Sequence, residues 1–241
     1  MKKVNRIMFA GPSGIGKTTL AKFVESIGGG DEPVWEFISG SVSDLLPDTK
    51  SELHKDMLSH DKKELYLQDF QVLNLRKKLF ANSPSFVSDR SFLDSAAYFL
   101  YKQSDSIPQC EMDHFLELCK MCLCQYCDKL IVLNFTPYLI KNWVIEDNGK
   151  RIMNKYFQAQ ISSIMSMILD NWGIRYSEQI YSISRNWFNC PEHLTCGGYK
   201  IGIIESLYGN VEVIIIDEPE LDIREHIICK ELGVNIVWPK K

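Results

Sequence analysis

No stretch of this 241-residue chain approaches the ~20 consecutive apolar residues that a bilayer-spanning helix needs. No charged-then-apolar leader is expected either, because Met1-Lys2-Lys3 runs straight into an apolar, β-prone segment. Internal repeats and low-complexity tracts are absent, which sets aside solenoids and disordered arrays. Charge of one sign is not in excess either. The formal net charge of −4 gives no global field toward nucleic acid or an anionic membrane. These absences lead to the expectation of a cytoplasmic protein with no membrane partner.

Cysteine is not scarce. Eight lie at 110, 119, 122, 124, 127, 190, 196 and 229. Without an export signal they are expected to be reduced. Cys119, Cys122, Cys124 and Cys127 have metal-like spacing but fall within 113–128, which reads as helix. At the helical rotation per residue they point to about 0°, 300°, 140° and 80°, and cannot converge on one ion. They read as core. Cys190, Cys196 and His193 share a loop and offer three local groups, one short of a closed zinc site.

What is present is sharper. Residues 11–18 read Gly11-Pro12-Ser13-Gly14-Ile15-Gly16-Lys17-Thr18, followed by Thr19. This is a complete G-x-x-x-x-G-K-[ST] phosphate-binding loop. A β-prone run at 4–10 precedes it and a helix-compatible run at 17–27 follows, the context the motif requires. The glycines let successive N–H groups wrap a phosphate, and the helix start adds partial positive charge. Lys17 would reach the β- and γ-phosphates of ATP, and the Thr18 hydroxyl would sit on Mg²⁺.

The rest of the chain alternates. Strands are expected at 35–38, 85–88 and 130–135, with a weak one at 181–184. Helices are expected over much of 50–81, onward from strand three to Lys129 with a break near Pro108, and at 152–172. This pattern predicts a mainly parallel sheet wrapped by helices. A tail with the same grammar follows: helix at 199–208, strand at 211–216, helix at 221–232, strand at 234–238. It reads as an extension of the same sheet or a small appended unit.

A second constellation sits at the end of the third strand: Asp89-Arg90-Ser91, then Asp94, then Ala96-Ala97-Tyr98. In a parallel α/β sheet the ligand crevice lies at the carboxyl ends of the strands, so Asp89 is expected to face the phosphate loop. A carboxylate there can hold Mg²⁺ or accept the proton of an attacking hydroxyl. An adjacent arginine can clamp an anionic acceptor.

With these residues in place the chain resembles the nucleoside and nucleotide branch of phosphate-loop kinases. That branch includes thymidylate kinase, the deoxynucleoside kinases and the ribosylnicotinamide-kinase-like modules. The resemblance covers about 4–184 and rests on the loop, Asp89-Arg90-Ser91 and Ala97-Tyr98. It implies a three-layer α/β P-loop NTPase fold, with a kinase core at 1–184 and a C-terminal α/β extension at 185–241. It implies transfer of the γ-phosphoryl of ATP, with Mg²⁺, to a small nucleoside, nucleoside monophosphate or related acceptor. Asp89 becomes the base or Mg²⁺-side carboxylate, Arg90 the clamp, and Gln71, Arg76 and Tyr98 candidate acceptor contacts. Arg151, in Asp147-Asn148-Gly149-Lys150-Arg151, falls where such kinases carry a lid. A modified nucleoside within DNA is an alternative acceptor that the acidic net charge disfavours.

A competing reading comes from the tail, where an apolar strand ends in Asp217-Glu218-Pro219. In transporter-type and repair-type ATPases such a strand carries the Mg²⁺ aspartate and the water-activating glutamate. A non-catalytic nucleotide-dependent switch is the third alternative.

Overall fold

Three strands are apolar on both phases of their two-residue period, the pattern of strands buried on both faces. In Arg6–Ala10 (β1), Ile7 and Phe9 enter one core, whereas Met8 and Ala10 enter the other. Lys129–Leu133 (β4) sorts Ile131 and Leu133 from Leu130 and Val132 in the same way. Gly209–Ile216 (β7) sorts Ile214 and Ile216 from Val211, Val213 and Ile215. The chain therefore builds a central sheet covered on both sides.

The computed structural model describes residues 4–29, 34–46, 62–135, 154–182, 198–218 and 220–234. The remaining strands are β2 (Glu36–Ile38), β3 (Phe86–Ser88), β5 (Arg175–Ser182) and β6 (Gly198–Ser206). The seven strands form one sheet in the order β2-β3-β1-β4-β7-β6-β5. The first five in that order run parallel; β6 and β5 are antiparallel additions at one edge. The described helices are α1 (Lys17–Ile27), α2 (Val42–Leu45), α3 (Lys62–Ala81), α4 (Phe92–Gln103), α5 (Gln109–Tyr126), α6 (Lys155–Asn171) and α7 (Leu221–Leu232). Side chains of α1 and α7 fill one core, and those of α3 to α6 fill the other. This is a three-layer α/β P-loop fold. Among the described residues no helix is long and apolar enough to cross a membrane.

The larger core is aromatic. Phe99 and Phe115 stack at 3.8 Å between ring centroids, joining α4 to α5, and Phe80 stacks on Phe86 at 5.0 Å, joining α3 to β3. Cys119, Cys122, Cys124 and Cys127 are buried along α5 and at its end, and burial pushes all four thiols up.

One segment differs from expectation. Residues 199–208 were expected as helix and form most of β6, continuing through a two-residue turn at Leu207-Tyr208 into β7. Ile201, Ile203 and Ile204 are β-branched, and Gly202 in a helix interior would cost about 1 kcal/mol. The edge strand β5 is also longer than the expected 181–184. The segments at 136–153 and 183–197, which include Arg151, Cys190, His193 and Cys196, lie outside the described residues, as does the expected last strand beyond Val234.

The β6–β7 turn generates a prediction. Gly209 has φ +143°, and a Cβ there would stand 2.6 Å from the Cys124 carbonyl oxygen at the end of α5. Gly209→Ala combines backbone strain with a clash against main chain. It should lower stability by about 1–3 kcal/mol. Urea unfolding would show a lower midpoint at unchanged slope; an unaltered midpoint would contradict the packing.

Candidate functional site

The carboxyl ends of β1, β2 and β3 lie along one edge because the three strands run parallel. Each feeds a loop into the same place. After β1 the chain turns through the glycines of the phosphate loop and begins α1 at Lys17, with Gly16 as N-cap at φ +95°. Gly11, at φ +146°, passes so close to β4 that a Cβ would stand 2.6 Å from the Leu133 carbonyl oxygen. The loop is thus pressed against the neighbouring strand, a fit open only to glycine.

After β3 comes Asp89, 6 % exposed. Its Oδ2 accepts a hydrogen bond from Thr18 Oγ1 at 2.6 Å, and its Oδ1 accepts one from the Gly40 amide at 3.4 Å. Gly40 belongs to the loop after β2, so one carboxylate ties three strand ends together. Thr19 is exposed on α1 beside Thr18.

The start of α4 is fixed by a reciprocal cap. Asp94 Oδ2 accepts from the Ser91 amide at 2.9 Å and from Ser91 Oγ at 2.8 Å, while Ser91 Oγ accepts from the Asp94 amide at 3.3 Å. This geometry satisfies helix-end donors that burial would otherwise strand. It also aims the second oxygen. Asp94 Oδ1 lies 3.7 Å from Lys17 Nζ and 3.5 Å from Arg90 Nη1. Lys17 also donates to the Gly11 carbonyl and, at 2.8 Å, to the Pro12 carbonyl.

Burial lowers Lys17 to about 7, with Arg90 adding to the shift and Asp94 and Asp89 opposing it. Burial also penalises the Arg90 guanidinium, but Asp94, Tyr98 and Asp89 outweigh it and hold Arg90 above its ordinary value. The Tyr98 hydroxyl lies against the Ser13 backbone and Arg90, and burial pushes its pKa up.

The structure thus gathers the phosphate loop, Lys17, Thr18, Asp89, Arg90 and Tyr98. Arg76 is close by but buried. It donates to the Gly40 carbonyl at 2.9 Å and to the Ser91 carbonyl at 3.4 Å, and it also bonds Ser95 Oγ. Burial lowers it to about 10. Gln71 is exposed, on the side of α3 away from its buried Leu65, Val72, Leu73, Arg76 and Phe80. Asp217 stands apart: β4 separates its strand from β1, and its carboxylate accepts from Asn134 Nδ2 at 2.7 Å. Glu218 is buried, its Oε1 accepting from the Glu220 amide at 3.1 Å.

Three contributors were not singled out as site residues from the sequence. Asp94 carried a signal, since Ser91-Phe92-Leu93-Asp94 is a capping-box spelling. Gly40 carried only its place after a short strand. Arg224, on α7, donates to the Ile15 carbonyl at 2.6 Å, and no local motif marks it.

The cradle offers donors suited to the groups the motif implies. Thr18 and Asp89 present hard oxygen atoms of the kind Mg²⁺ selects. The loop amides and Lys17 present N–H groups for phosphate.

The depressed Lys17 has a stability consequence. Between about pH 7 and its unfolded value, Lys17 is protonated in the unfolded chain and neutral in the folded one. The unfolded state then binds more protons, so stability rises with pH across that window. Lys17→Met should be more stable than wild type near pH 7, with the gap closing toward pH 10 by on the order of 1 kcal/mol per pH unit. Denaturant unfolding of both proteins without nucleotide at several pH values measures this; parallel profiles would refute it.

Comparison with known proteins agrees with the architecture. A protein-family profile described as AAA domain matches residues 6–183. No curated protein matches the chain significantly. Among solved structures, the deoxyadenosine kinase from M. mycoides with bound dCTP superposes with a TM-score of 0.57 at 11% identity, covering 94% of this chain and 98% of that one. The same enzyme with bound dATP gives 0.55 at 13% identity, with 94% and 98% covered. With the products dCMP and a flexible dCDP it gives 0.56 at 11% identity, with 94% and 97% covered. The fold is that of this deoxyadenosine kinase, and the chain, matched over well more than half its length, belongs to the AAA-domain family of P-loop proteins.

Proposed function

We propose that this protein is a cytoplasmic ATP-dependent kinase. It would transfer the γ-phosphoryl group to a nucleoside, a nucleoside monophosphate or a related nucleotide. The observation that carries the proposal is the Thr18–Asp89 hydrogen bond, 2.6 Å across the crevice between the phosphate loop and the end of β3. It brings a carboxylate to the hydroxyl that the motif assigns to the metal. The deoxyadenosine kinase of the same fold holds deoxynucleotides in its solved structures, which makes deoxynucleosides and their monophosphates the first acceptors to test.

The roles follow from position. Loop amides from Gly11 to Thr19 would hold the donor phosphates. Lys17 and Arg90, now leaning on Asp94, would shift toward the transferring phosphoryl group and offset its charge. Thr18 and Asp89 would hold Mg²⁺, which would supply positive charge against the phosphates. Asp89 would also orient the acceptor hydroxyl. Tyr98 is the candidate base contact, and Arg76 stiffens the loop after β2 through the Gly40 carbonyl; Gln71 points away from that face of α3 and is set aside as an acceptor contact. The Arg151 segment is the candidate lid that excludes water, which would otherwise take the phosphoryl group.

The hydrolytic alternative places the chemistry at Asp217 and Glu218. Asp217 engages Asn134 and Glu218 folds back on Glu220, which supports transfer at Asp89 instead.

A labelled-ATP screen over nucleosides, nucleoside monophosphates and DNA should yield a new labelled nucleotide. Free phosphate as the sole product would mean hydrolysis, and labelled DNA would mean a polymer acceptor. Lys17→Ala and Asp89→Asn should each lower turnover by well over tenfold in folded protein, since each removes charge stabilisation in the transition state. Glu218→Gln should keep most of it. The reverse ranking of Asp89 and Glu218 would move the function to ATP hydrolysis.

A further inference from the structure

The carboxy-terminal helix reaches the phosphate loop through one buried cation. Arg224 lies in the first turn of α7 and is 3 % exposed. Its Nε donates to the Glu218 carbonyl at the end of the β7 segment, and its Nη1 donates to the Ile15 carbonyl, 2.6 Å away and 209 residues earlier. Its Nη2 is buried without a hydrogen-bond partner among the described residues. Burial lowers its pKa to about 10, so it remains a cation at neutral pH.

A buried guanidinium that spends a donor on a carbonyl inside a phosphate loop acts on that loop's shape. The Ile15–Gly16 peptide is trans, so its C=O and N–H point in opposite directions. Drawing the Ile15 carbonyl toward α7 turns the Gly16 N–H away from α7. Glycine at 16, with φ +95°, has no side chain to fix that plane, and the peptide could otherwise rotate. The Gly16 position also meets Arg224 directly, since a Cβ there would stand 3.8 Å from Nη1.

We infer that Arg224 is a positioning residue for nucleotide binding: it locks the Ile15–Gly16 peptide so that the loop presents its amides to phosphate, and thereby makes the nucleotide site depend on the C-terminal helix. The family profile ends at residue 183, so this contact comes from outside the matched region. The inference rests on the nucleotide-binding part of the proposed function.

The test is calorimetric titration of the full chain with ATP and Mg²⁺, on wild type, Arg224→Gly, Arg224→Lys and Lys17→Ala. Thermal unfolding without nucleotide would accompany each titration. Arg224→Gly should weaken ATP binding at least tenfold while the fold persists. Guanidinium ion at low millimolar concentration, filling the vacated site, should restore binding to Arg224→Gly but not to Lys17→Ala. Arg224→Lys keeps the charge but cannot span two carbonyls, and should fall between. ATP affinity within twofold of wild type in Arg224→Gly, or a failure of guanidinium to rescue it, overturns the inference. Should the glycine variant not fold, affinity within twofold of wild type in Arg224→Lys overturns it equally. A wild-type chain that does not bind ATP defeats the functional reading and this inference together. Normal wild-type binding with insensitive variants defeats the inference alone.

Discussion

Charge held out of water is the constraint on which this structure turns. Lys17, Arg76, Asp89 and Asp94 are all buried around the start of α4, with Arg90 half-buried beside them. Each ion would cost several kcal/mol to desolvate alone, so none can be placed without its partners. The partners come from different strand ends, and satisfying the charges assembles the crevice. Asp94 shows how tightly the two are linked. One oxygen closes the cap of α4, and the other faces both Lys17 and Arg90. The helix start, the phosphate loop and the segment after β3 therefore form one electrostatic unit.

That unit also explains which parts of the molecule could be read from sequence. A parallel sheet places strand ends together, so the approach of Asp89 to Thr18 follows from two apolar runs, each followed by a polar motif. Helices with strong boundary signals were equally plain, as at α7, which ends in Gly233 at φ +76°. Arg224 was not legible, because it acts across 209 residues and looks like any arginine on a polar helix face. Arg76 could be placed on α3 but not in the core. Only the fold shows three oxygen acceptors converging on its guanidinium.

Within the tail, the strand at 211–216 and the helix at 221–232 are legible, and only 199–208 reads as helix where the chain forms a strand, for a related reason. Residues 198–206 have weak alternation, with Tyr199, Gly202 and Ile204 as buried positions. As the middle strand of the antiparallel extension, β6 takes its conformation from β5 and β7 on either side, and pairing of that kind overrides local preference. The consequence is architectural. The strand beside β4 is β7, which comes from beyond residue 184, and it carries α7 back over the face occupied by α1. Residues far along the chain thus complete the layer on which the phosphate loop rests.

The loop is held from several sides at once. Gly11 is wedged against the Leu133 carbonyl, Lys17 faces Asp94, Thr18 is bonded to Asp89, and the Ile15 carbonyl is bonded to Arg224. These contacts belong to four different elements, so no single local motion can relax the loop. A loop ordered in advance spends little of a ligand's binding energy on its own ordering. It would also keep its N–H dipoles aimed while charge moves during a reaction, the condition under which fixed dipoles stabilise a transition state better than water does. Lys17 is the exception to this rigidity, and the exception is informative. It is held by two carbonyls and by Asp94, and burial depresses its pKa to about 7 against the pull of Asp94 and Asp89. A phosphate arriving in the loop offers a closer and more highly charged partner, so the ammonium gains more from leaving its present contacts than the surrounding backbone would. A fixed cradle around one buried, desolvated lysine is an arrangement in which an incoming anion would favour the protonated form.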